Sequence, residues 1–74
     1  MNTNDTIILA RKHLGTNAMR SSAAVCLADA VALQDDGDLF NARLRALRSL
    51  AYSVGRFHPD YKRVNSAILR EDMR

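Results

Sequence analysis

Arg45, Arg48, Tyr52 and Arg56 follow one another at spacings of three, four and four residues, which puts them on one side of a helix. Lys62 and Arg63 lie just beyond. Arginines on such a stripe can meet phosphates while a tyrosine stacks on a base, so nucleic-acid binding is the chemistry it could perform. The plainer reading, an ordinary solvated helix face, outweighs it. No helix gathers polar base-reading side chains at its N-terminus, which argues against sequence-specific duplex recognition. Arg43 falls instead between Leu47, Leu50 and Val54, on the apolar side of the same helix. A desolvated guanidinium requires a carboxylate or carbonyl. Arg43 therefore reads as snorkelling, or as paired with Asp29 or a carboxylate of the last helix, ahead of its alternative as an anchor for an acidic ligand. His58-Pro59-Asp60 reads as a helix opening, with proline at the first position and Asp60 favourably placed in the helix dipole. Cys26, among Ala23, Ala30 and Leu33, reads as an inert core thiol. His13 and His58 stand far apart, and no Cys/His spacing suggests a metal. No nucleophile–base pair, phosphate-cradling glycine loop or inward carboxylate pair stands out. The expectation is a protein with no catalytic residue, no cofactor and no metal.

Four helices are expected to carry these groups. The first is predicted over Thr6 to Leu14, capped by Asn4 or Asp5 and ended by Gly15, with Arg11, Lys12 and His13 in its last turn. Its buried face is Ile7, Ala10 and Leu14, widened by Ile8 and Leu9. The second is predicted from Ala18 to about Asp36, with Thr16 and Asn17 as caps. One apolar stripe holds Met19, Ser22, Ala23, Cys26, Ala30 and Leu33; a second holds Ala24, Ala28, Val31 and Ala32. A helix apolar nearly all round is a buried one, so the second helix is expected at the centre, touched from two sides. Asp35 and Asp36 oppose a helix C-terminus and suit the turn before Gly37. The third is predicted over Leu39 to Val54, capped by Asp38 and closed by Gly55 in a left-handed conformation. Its buried face is Phe40, Leu44, Leu47, Leu50, Ala51 and Val54. The fourth is predicted from Pro59 to about Asp72, with a thin apolar set of Tyr61, Val64, Ala67 and Ile68. No strand signal is found.

At 74 residues the chain reads as a single all-helical domain, 1–74, near the lower limit for a self-sufficient core. One cysteine allows no internal disulfide and suits a reducing interior, so the expected location is cytoplasmic. The polar N-terminus does not read as a signal peptide. The longest charge-free apolar run, Ser21 to Ala28, is far short of the roughly 20 residues that cross a bilayer, so no membrane association is expected. A net charge of +3, with no basic run, permits a nucleic-acid partner without demanding one.

The segment over about residues 28–69 resembles a tetratricopeptide-type repeat, in the variant found in kinesin light chains. The resemblance rests on Gly37 at a turn, Ala42 five residues later, Leu50 eight beyond that, and Gly55 shortly before His58-Pro59-Asp60. Gly37 to Gly55 is about one turn shorter than that family's pattern, Asp29 stands where a leucine is usual, and no third repeat follows. What the resemblance implies is a helical hairpin used for protein contacts, whose missing stacking surface comes from a second chain. His58-Pro59-Asp60 after an aromatic, Phe57, is also similar to the signature of J-domain co-chaperones, which carry it in a loop after a strongly basic helix. Here a helix is expected to begin at once.

The fold class expected is all-α, a small antiparallel bundle of four short helices with a tetratricopeptide-like hairpin. The function expected is a small non-enzymatic adaptor or regulatory protein, binding a protein partner and forming a homodimer. The alternative is a nucleic-acid binder using the arginine stripe; a J-domain-like co-chaperone ranks below both. The residues expected at an interaction surface are Arg43, Arg45, Arg48, Tyr52, Arg56 and His58.

Overall fold

The computed structural model describes residues 2–15, 19–55, 59 and 61–72. They form four α-helices: α1 Thr3–His13, α2 Arg20–Asp35, α3 Leu39–Val54 and α4 Tyr61–Asp72. Among the described residues there is no strand.

Local capping chemistry sets most of the boundaries. α1 starts three residues before the predicted Thr6, because Asn2, and neither Asn4 nor Asp5, is its cap. The Asn2 side-chain carbonyl accepts from the Asp5 N–H at 2.8 Å. Asp5 consequently sits in the first turn, where the helix dipole favours a negative charge. Gly15 contributes less than expected: α1 ends at His13 with an extended Leu14 as its cap, and Gly15 has no positive φ. The expected caps of α2, Thr16 and Asn17, lie outside the described residues, as does Ala18. α2 begins at Arg20.

The α2–α3 connection is the best-defined joint. Gly37 takes φ +85°. The Asp38 N–H donates to the Leu33 carbonyl (2.9 Å) and the Gly37 N–H to the Gln34 carbonyl (3.0 Å), which is the paired Schellman pattern. Asp38 then caps α3 by accepting from the Asn41 N–H at 3.3 Å, and its other oxygen accepts from the Asn41 side-chain amide at 2.8 Å. One short segment closes one helix and opens the next, forming a tight helical hairpin. At the far end of α3, Gly55 has φ +70° but ψ 165°. That is not the left-handed helical cap expected, but a region that glycine alone occupies with ease.

The helix at the centre is α3, not α2. α3 packs against α1, α2 and α4, whereas α2 packs against α3 and, more lightly, α1. The buried residues of α3 are Ala42, Ala46, Leu47, Ser49, Leu50 and Val54, an arc of about 160° at the helical period. Those of α2 are Ala23, Cys26, Leu27 and Ala30, an arc of about 100°. The second stripe assigned to α2 faces outward: Ala24, Ala28 and Ala32 are exposed and Val31 is half-buried. Alanine forms helix well and loses little when exposed, so an alanine-rich helix need not be a central one.

The core joins all four helices through Ile7, Ala10, Leu27, Ala30, Ala46, Leu50, Val54 and Val64. Three further predicted core positions are corrected. Ile8 is 55% exposed, and Phe40 and Met19 are each 44% exposed. Ile7 already occupies the inward position of its turn, and Phe40 lies in the first turn of α3, one residue past the helix start. Two hydroxyls are buried in their stead. Thr6 donates back to the Asn2 carbonyl at 2.7 Å, and Ser49 donates across the helix pair to the Ala23 carbonyl at 2.7 Å. The small residues Ala23, Ala30, Ala42, Ala46 and Ser49, all fully buried, permit that close crossing. A bond from Thr3 Oγ1 to the Leu39 carbonyl, 2.9 Å, places the start of α1 beside the start of α3.

α4 begins at Tyr61, two residues after the predicted Pro59, which lies in a turn. Val64 is its buried anchor, with Tyr61, Ala67 and Ile68 half-buried, as their spacing predicts. No helix among the described residues is long and apolar enough to cross a membrane.

Candidate functional site

The hairpin fixes which side chains of α2 and α3 share a surface. α3 turns its small residues to α2, and the Ser49–Ala23 bond sets the level at which the helices meet. The α3 flank beside that contact carries Asn41, Arg45, Arg48 and Tyr52, at helical spacings of four, three and four. All four are exposed. Together with half-buried Leu44 and buried Cys26 from α2 they line a shallow groove of about 340 Å³. Leu44 and Cys26 are its apolar members. The two guanidinium-bearing residues stand one helical turn apart. None of the lining residues named carries a carboxylate.

At the Tyr52 end the groove runs into a more open depression lined by Ser21, Ser22, Val25 and Cys26 of α2, with Tyr52 again on its edge. Val25 is 61% exposed there. Tyr52 thus sits between a cationic surface and a small apolar one, and its ring and hydroxyl suit those two surroundings.

Of the six residues expected at an interaction surface, Arg45, Arg48 and Tyr52 come together in this groove. Arg43 does not join them. It is half-buried on another side of α3, with its Nε shielded from solvent. Arg56 and His58 lie outside the described residues, so the stripe is described from Asn41 to Tyr52, and the loop setting on which a J-domain reading depends falls outside the description. Lys62 and Arg63 are exposed on α4.

Asn41, Leu44 and Cys26 were not read as parts of a site. The signal for Asn41 is its position four residues before Arg45, on the same line. Cys26 offers none, since a buried thiol touching a groove has the same local sequence as one that does not. Among the described residues no three His, Cys, Asp or Glu side chains gather as a metal site would require. The arrangement can bind an anion and pack an apolar side chain beside it.

In comparisons with protein families, curated proteins and solved structures, the chain matches none.

Proposed function

We propose that this chain is a small, non-enzymatic, cytoplasmic adaptor or regulatory protein that acts through protein–protein contacts of its helices, as a homodimer. The observation that carries the reading is the outward face of α2. Ser21, Val25, Ala28 and Ala32 are all exposed and recur at spacings of four, three and four. That is the a/d rhythm of a helix–helix seam, with side chains small enough for two backbones to approach closely. In an antiparallel pairing about a two-fold axis, Arg20 at the start of one α2 meets Asp35 and Asp36 at the end of the other. The composition of the core points the same way. Among the described residues the core is built of alanines with Ile7, Leu27, Leu47, Leu50, Val54 and Val64, and no aromatic ring is buried in it. The sequence resemblance of residues 28–69 to a tetratricopeptide repeat supports the reading, since repeats of that kind gain stability by stacking on another unit.

Sedimentation velocity at micromolar concentration tests the proposal. The dimer is the expected species, and Ala28→Glu, exposed in a single copy, should convert it to a folded monomer. A wild-type chain that stays monomeric and melts cooperatively would overturn the dimer.

A further inference from the structure

Resting on the protein–protein reading above, we infer that the groove between α2 and α3 is the docking site for an acidic segment of a partner protein. The segment presents carboxylates to Arg45 and Arg48 and lays one apolar side chain against Leu44 and the ring of Tyr52. Charge complementarity is the first argument. Two arginines stand one turn apart on a wall that has no carboxylate among its described lining residues, the nearest bonded one being Asp38 at the Asn41 end. Carboxylates three or four residues apart on a partner helix match that interval, and planar guanidinium groups suit paired oxygens.

The apolar floor is the second argument. Leu44 and Cys26 line it beside the cationic residues and Tyr52 stands where it opens into the second depression, so the groove combines charge with a place for a greasy anchor. Such a combination selects an amphipathic peptide over a small free anion.

The surroundings argue for a peptide over a nucleic acid. Exposed Asp29 and Asp35 stand on α2, exposed Asp36 follows in the turn, and Asp38 sits at the head of α3. A phosphate backbone continuing past Asn41 meets the Asp38 carboxylate, which accepts from the Asn41 side-chain amide at 2.8 Å. A short acidic segment is matched by two cations and stops within the groove. Polyanion binding needs a longer cationic track.

The test is fluorescence anisotropy at low salt with three labelled probes on the intact chain. They are a synthetic peptide with glutamates at every third or fourth position around a central leucine, the same peptide with lysines for glutamates, and a single-stranded oligothymidylate of similar length. Binding of the glutamate peptide alone is expected. The Arg45→Glu/Arg48→Glu double variant should weaken it by roughly tenfold or more. Arg45→Gln, a neutral change at an exposed position, should weaken it less while leaving the far-ultraviolet circular dichroism unchanged.

Ala28→Glu keeps the groove intact, so its peptide affinity separates the groove from the dimer. Loss of the dimer with retained peptide binding leaves the groove standing. A dimer that ignores the glutamate peptide overturns the groove and spares the dimer. Tightest binding of the oligothymidylate overturns the acidic-segment inference in favour of nucleic acid. Equal binding of both peptides, or of neither, also overturns it.

Discussion

Ser49 shows how a polar side chain can belong to a tightly packed crossing. Its hydroxyl lies fully buried and donates to the Ala23 carbonyl of the neighbouring helix, so a small residue both permits close approach and registers the two helices. Ser49→Ala should cost about 1 kcal/mol in urea denaturation, the net worth of one buried hydrogen bond. The two positive-φ glycines should differ from each other. Nothing lies within 4 Å of a Cβ built on either, so any penalty comes from backbone conformation. Gly55→Ala should cost about 1–3 kcal/mol, because its φ and ψ fall where other residues rarely go. Gly37→Asn should cost less, since asparagine tolerates a left-handed turn residue. Equal losses at the two sites would contradict this account of the joints.

At the scale of the helices, the bounds of α3 were legible but only part of its buried face, since Ala42, Ala46 and Ser49 were missed, and the inward side of α2 was less legible still. Asp38 and Gly55 mark the limits of α3 through chemistry contained within a few residues, and the structure keeps both limits, with Gly55 outside the left-handed helical conformation expected of it. Arg45, Arg48 and Tyr52 were likewise legible as one exposed line, because helical period alone places them. α2 carries alanines on several sides, and alanine is at home against a neighbouring backbone or in water. Periodicity therefore could not decide which of its faces turns inward. The same ambiguity hid the groove, whose second wall depends on how α2 is rotated against α3. It also hid Leu27, which is buried one turn from Ala23 and Ala30. A paired substitution distinguishes the two kinds of alanine. Ala46→Leu, at a fully buried position, should destabilise by about 1–3 kcal/mol through overpacking. Ala28→Leu, at an exposed one, should leave the stability of a single copy nearly unchanged or strengthen self-association. Urea midpoints measured at several protein concentrations would read both effects.

Taken whole, the molecule hangs on α3. α1 and α2 support each other as well as α3, whereas α4 packs against α3 alone among the described helices. Val64, the one fully buried side chain among its described residues, is joined by half-buried neighbours. That unequal distribution has a consequence in time. Opening costs least where the fewest partners must be released, so the last helix should peel away before the other three separate. In deuterium-labelling experiments its amides should exchange first and those of α3 last, with α1 and α2 between. Each peeling event would briefly bare Val54 and Leu50, giving the chain a recurrent sticky interval even while most of it stays folded.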